Sequence, residues 1–258
     1  MKKSNIAYEE IVSYEVIEEN YKNICSKTKH KEKILKFDLF HSTNINKIYN
    51  ELKDRKYEHS NFNIFLIKEP KYRIVMSEVV KDKIVNHLVS NVFLKPILFP
   101  KLIEENVATR EGKGTAAAIE LCKKYYLRMR NKYGEFYILK FDITKYFYNI
   151  DHDILKKMLQ EVYTDREVLN ILYKIIDSTD EPYINEKIQK CIQNQLEKIS
   201  KLNERDRVAQ QKELLKIPTY KKGKGLGIGS LTSQVFAVYY LNGLDHYIKE
   251  NLGTKEYI

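Results

Sequence analysis

An α+β domain is the fold class that this sequence of 258 residues predicts, and three observations carry it. Two β-rich runs, 62–67 and 72–76, flank Lys68, Glu69, Pro70 and Lys71 in the manner of an antiparallel hairpin with a proline turn. Several longer segments repeat apolar residues with the helical period. The run 136–141 is apolar on both faces, as expected of a strand in the middle of a covered sheet. A hydrophobic share of 43% is enough for a buried core and excludes wholesale disorder.

In chain order, Ile6, Ile11, Tyr14, Ile17, Tyr21 and Ile24 predict one face of a helix over 6–27. The basic segment 27–36 reads equally as a phosphate contact or a solvated face. After the hairpin, Val79, Val80, Ile84, Leu88 and Phe93 predict a helix over 78–94. Another is expected over 115–130, with Thr115 as N-cap and Ile119, Cys122, Tyr126 and Met129 as its core stripe. A helix over 153–162 follows the 136–141 strand. Residues 183–216 are rich in Gln, Asn, Lys and Glu around a thin seam of Ile184, Ile188, Ile192, Ile199 and Leu202, and read as an inserted helical hairpin without chemistry of its own. Gly223, Gly225, Gly227 and Gly229 open a helix over 231–251 that Gly253 can end, and 254–258 read as the start of a strand.

Lys plus Arg number 45 against 35 Asp plus Glu, a formal charge of +10 that suits polyanionic partners or a merely solvated surface. Cys25, Cys122 and Cys191 are far apart, so neither a disulfide framework nor a zinc knuckle is written here. No apolar run has membrane-spanning length and the N-terminus is not a secretory signal, so the expectation is a cytoplasmic protein with no membrane partner.

Asp142 is the first residue to suggest chemistry. A carboxylate at the end of an apolar strand is costly to desolvate unless a cation pairs with it, so it reads as a metal ligand, a buried ion pair or an exposed strand end. The glycine stretch lacks the Gly-Lys-Ser/Thr of a P-loop and the strand-borne G-x-G-x-x-G of a dinucleotide fold.

The segment from Phe141 through Asp142, Ile143, Thr144, Lys145, Tyr146, Phe147, Tyr148, Asn149 and Ile150 to Asp151 and His152 strongly resembles the first catalytic motif of reverse transcriptases of the group II intron, retron and diversity-generating retroelement lineages. Three further stretches agree in order. Residues 106–115 resemble that family's Arg-x-Gly-Lys-Gly-Thr entry to the helix before the palm strand. The hairpin with Lys68, Lys71 and Arg73, followed by Asp82, Lys83, Ile84 and Val85, resembles the fingers. Residues 225–234 resemble the Ile-Gly-x-x-x-Ser-Gln of diversity-generating members, and 240–246 continue the match. Gly227 replaces a common proline, and the 183–216 insertion is longer than is typical.

The resemblance implies a right-hand polymerase with fingers, a partial palm built on an antiparallel sheet with packed helices, and no thumb. It divides the chain into an N-terminal helical extension (1–61), fingers (62–135), palm with the first catalytic aspartate (136–182), inserted hairpin (183–222) and a palm motif and helix (223–258) ending before the second, Asp-Asp motif. It implies Asp142 as catalytic residue and ligand of two Mg²⁺ ions, with the Ile143 carbonyl as a second ligand. It implies Lys68, Arg73, Phe147, Ile228, Gly229 and Gln234 as nucleotide-binding, Phe147 as the steric gate under the sugar, and Asp151 and His152 as structural. The implied partners are an RNA template, a DNA or RNA primer, dNTPs and room for an accessory protein. The implied activity is RNA-directed DNA polymerisation, inactive in a chain lacking the second motif. The alternatives are a non-catalytic or defence-associated relative that binds nucleic acid, and a group II intron maturase, which Ile228 and Gln234 disfavour.

Overall fold

The computed structural model describes residues 3–27 and 31–258, with the side chain of Lys31 left out; part of the basic segment 27–36 therefore lies outside the described residues. The chain begins with a 3₁₀ turn (Tyr8–Ile11) and three helices, α1 (Tyr14–Lys27), α2 (Lys31–Asp38) and α3 (His41–Lys53). The expected helix over 6–27 therefore starts later, at Tyr14. A hairpin follows, β1 (Asn63–Lys68) and β2 (Tyr72–Ser77), antiparallel with Phe65 opposite Val75, close to the predicted runs. Next come α4 (Val80–Val89), a π turn (Ser90–Leu94), the short α5 (Lys95–Leu98) and the long α6 (Thr115–Tyr133). The second half holds α7 (Tyr146–Asn149), α8 (His152–Gln160), α9 (Arg166–Asp177), α10 (Pro182–Ile199), α11 (Glu204–Leu214), α12 (Leu231–Tyr240) and α13 (Asn242–His246). No described helix is long and apolar enough to cross a membrane.

The main core is helix on helix. Ile17, Tyr21 and Ile24 of α1, Ile84, Val85 and Leu88 of α4, Leu155 and Leu159 of α8, Leu172 and Ile176 of α9, and Val235 and Phe236 of α12 share one buried cluster. Each such side chain contributes about 1.5–3 kcal/mol by leaving water. The starts of α8 and α9 are set by side-chain caps. Asp151 accepts from the amides of Asp153 and Ile154, and Asp165 from those of Glu167 and Val168. The other carboxylate oxygen of Asp165 takes the amide of Tyr8 at 3.0 Å, tying the N-terminal turn to α9.

A second cluster joins the hairpin to the insertion. Phe62, Tyr72, Ile74 and Met76 pack against Ile184, Ile188, Ile192 and Ile199 of α10, with Leu214 and Tyr220. The isoleucines of the predicted seam are buried, whereas Leu202 is exposed. Glu213 accepts the amide of Tyr72 at 2.9 Å and Gln210 its hydroxyl at 2.5 Å. The insertion therefore braces the hairpin.

Four expectations fail together. Among the described residues the only sheet is β1–β2, so no antiparallel palm sheet is present. Residues 136–141 form no strand, because nothing described runs alongside to accept their backbone hydrogen bonds, and Tyr137, Ile138, Leu139 and Phe141 face water. Nor do residues 254–258 form one. The α6 stripe is not core: α6 buries no residue, and Ile119, Cys122 and Tyr126 are exposed. Two smaller corrections follow. Gly114, at φ 105°, takes the N-cap position of α6 and Thr115 is the first helical residue. The predicted helix over 231–251 breaks at Leu241 into α12, α13 and a π turn at Tyr247–Asn251.

Candidate functional site

The glycine stretch is held on two sides by its backbone. On one side, Gly225 N donates to Ile150 O and Leu226 N to Phe147 O, each at 2.8 Å. On the other, Met76 N of β2 donates to Ile228 O at 2.7 Å. Two glycines are needed for this approach. A Cβ at Gly225, φ +97°, would stand 2.6 Å from the Tyr220 ring, and one at Gly229, φ +128°, would stand 2.8 Å from Met76 O. The three stretches read separately in the sequence as hairpin, aspartate motif and glycine motif thus meet at one seam.

Behind the seam, His152 is buried, with its Nε2 2.7 Å from Gly225 O and its amide donating to Gly223 O at 3.0 Å. Thr179 donates to the same Gly225 carbonyl at 2.7 Å, and Asp180 accepts the Gly223 amide at 2.8 Å. Asp151, besides capping α8, lies 3.5 Å from Lys224 Nζ. Its pKa is lowered, chiefly by the Ile154 amide.

Two cavities open beside the seam. One, of about 420 Å³, brings Phe147 and Gln234 together with Val107, Ala108, Thr109 and Asp245. Phe147 is half-buried and meets Tyr146 edge to face at 5.9 Å, while the Tyr146 hydroxyl donates to Ala237 O at 2.5 Å. Both rings pack against the main core and both line this cavity. The other cavity, of about 230 Å³, gathers Lys71, Arg73, Lys145 and Lys216 with one carboxylate, Glu213, beside Tyr148 and Ile228. Four cations around one small hollow suit a polyanion. Lys145 sits in the left-handed region at φ 54°, ψ 39°, where Asn149 secures the loop by donating to Thr144 O and Lys145 O. A non-glycine residue held there costs about 1 kcal/mol or more.

Other predicted residues stand apart. Asp142 and Ile143 are exposed and line neither cavity, so Asp142 does not suffer the desolvation that a strand end was expected to impose. Lys68 points its ammonium over the Tyr72 ring at 5.1 Å and lines neither cavity. Asp82 is fully buried and accepts from the Tyr57 hydroxyl and the Ser60 amide, both at 3.0 Å; it anchors the fold.

Several residues that build the site were not singled out in the sequence. Tyr220 wedges under Gly225 and donates to Leu226 O at 3.1 Å. Glu78 bonds Asn86, and burial pushes its carboxyl up to about 7 although Ser230 and Asn86 pull the other way. Lys216 comes from the end of the insertion. Only Lys145, three residues after Asp142, carried a readable signal, being a cation inside the motif itself.

No protein-family model matches the chain, and no curated protein matches it significantly.

Proposed function

We propose that the chain is the fingers and front palm of an RNA-directed DNA polymerase of the retroelement type, acting on an RNA template, a primer and dNTPs. The observation that carries this reading is the seam. Three stretches far apart in sequence, each resembling a different part of such a polymerase, converge through backbone bonds of 2.7 and 2.8 Å between β2, the 147–150 segment and the glycine loop. Convergence of this kind is what a nucleotide pocket requires, because catalysis of phosphoryl transfer is mainly positioning plus charge stabilisation.

In this reading the primer 3′-hydroxyl attacks the α-phosphate of a dNTP and pyrophosphate leaves. Arg73, Lys71, Lys145 and Lys216 hold the triphosphate, and Phe147 lies under the sugar, excluding a 2′-hydroxyl. Ile228 presents a side chain that neither donates nor accepts a hydrogen bond, so base-pair geometry is held less strictly there than by an amide. The residues described do not by themselves form the expected Mg²⁺ site: Asp142 belongs to no group of three ligating side chains, and one carboxylate is too few for a two-metal cage. The charge of +10 and the cations of the small cavity suit equally a second reading, a nucleic-acid-binding relative without polymerase activity.

The test is binding of an RNA–DNA primer-template by this chain, followed by fluorescence anisotropy across a salt series. Affinity should fall steeply with salt as counterions are released. Arg73→Ala with Lys71→Ala should weaken it and flatten the slope by about 2. Absent or salt-insensitive binding would remove both readings.

A further inference from the structure

Behind the glycine loop, three electron-rich atoms converge. His152 Nδ1 lies 3.2 Å from Asp177 Oδ1 and 3.6 Å from Asp180 Oδ2, and the three ligating atoms all lie within 4.8 Å of one another. The Gly225 carbonyl can only accept, so His152 Nε2 carries a proton and donates to it. In the neutral ring Nδ1 then presents its lone pair to two carboxylates. His152 is 1% exposed, and Nδ1 has no hydrogen-bond partner among the described residues although two carboxylates stand within 3.6 Å of it. A buried lone pair facing two anions needs a cation between them.

We infer that His152, Asp177 and Asp180 bind a divalent transition-metal ion of the Zn²⁺ type, which staples the floor of the glycine loop to α8 and the end of α9. The distances fit. Ligands about 2.1 Å from a tetrahedral centre stand about 3.4 Å apart, between the two separations observed. One imidazole with two carboxylates suits Zn²⁺ better than Mg²⁺, which prefers an all-oxygen octahedron. The outer contacts also suit an ion. Nε2 of His152 is oriented by the Gly225 carbonyl, and Asp180 Oδ1 is fixed by the Gly223 amide, leaving Oδ2 for the metal. Asp177 borders a polar cleft of about 730 Å³, which gives the ion a path in. The charged neighbour that competes is Lys156, whose ammonium lies 2.6 Å from Asp177 Oδ1 and 2.7 Å from Oδ2; the ion takes Oδ1 and leaves Lys156 on Oδ2. This site is independent of the polymerase reading, since it uses neither Asp142 nor the nucleotide cavities.

The experiment is titration of the metal-stripped chain with Zn²⁺ by calorimetry and with Co²⁺ by visible absorption, alongside thermal melting. One equivalent of Zn²⁺ should bind and raise Tm, and Co²⁺ should give the intense visible band of a tetrahedral centre. Asp180→Asn keeps an oxygen for the Gly223 amide and offers an N–H to His152 Nδ1, so it should fold. It should weaken binding by about tenfold or more, as loss of a supporting contact alone does. Lys156→Met removes the competing ammonium and should tighten binding. An absence of stoichiometric binding, or binding unchanged in Asp180→Asn, would overturn the assignment.

Discussion

The helical core and the stretch from Thr115 to Lys145 have similar apolar content and opposite fates. In α9, Val168, Ile171, Leu172, Ile175 and Ile176 are all buried against α8 and the N-terminal elements. In α6 and the segment after it, Ile119, Tyr126, Tyr137, Ile138 and Phe141 are exposed, and Leu139 is 85% exposed. Polar contacts tether that stretch, Tyr125 to Glu105 at 2.8 Å and Arg128 to Glu256 at 3.4 Å, and Tyr126 meets Phe136 within it at 5.4 Å between rings. Apolar periodicity records a demand for burial; it does not say whether the covering element is at hand. Asp142 follows this open stretch, whereas the glycine loop sits against the closed core. The two halves of the proposed nucleotide site therefore differ in how firmly they are held.

Truncation should separate the two regions most sharply. Phe236→Ala or Leu155→Ala, both fully buried, should cost about 2–5 kcal/mol in chemical denaturation, whereas Leu139→Ala should stay within about 0.5 kcal/mol. A large loss at Leu139 would mean that the open stretch is covered in solution.

Glu78 offers a second contrast, now with pH. Its folded pKa of about 7 lies above the ordinary value of 4.5, so the folded state holds its proton more tightly than the unfolded chain does. The stability this brings is fully present below pH 4.5 and is lost as pH rises to about 7. Glu78→Gln should remove that dependence, on the order of 2 kcal/mol after allowing for its partial exposure, and leave the variant the more stable of the two at pH 8. Parallel denaturation series at pH 5 and pH 8 give the comparison.

A glycine series gives a smaller effect. Gly229→Ala meets both a positive φ and Met76 O, and should cost about 1–3 kcal/mol; Gly134→Ala, with φ +73° and open space around it, should cost about 1 kcal/mol. Equal losses would show that backbone conformation alone, and not the close approach to β2, sets the requirement at Gly229. By hydrogen exchange, the amides of Gly225 and Leu226, bonded to Ile150 O and Phe147 O, should be protected, and those of 136–143 should exchange quickly.

The hairpin was legible because its strands and turn obey local rules, and α8 and α10 because their stripes have a partner. The strand over 136–141 was not, since strand formation depends on a neighbour that the run itself cannot specify. At the site, the sequence pointed to Arg73, Phe147, Ile228 and Gln234, and these line the two cavities. It could not show that Lys216 joins them, because the insertion reaches the hairpin only through tertiary packing. Nor could it pair His152 with Asp177 and Asp180, which arrive from the end of α9 and the turn beyond it.

Primer extension by the full-length protein carrying Asp142→Asn tests the proposed function most directly. Asp142 is exposed, so the substitution should leave Tm unchanged. Extension on an RNA template in Mg²⁺ should be abolished, with primer-template binding retained. Extension near the wild-type rate would contradict the assignment of Asp142 and, with it, the reading of this chain as the front of a polymerase.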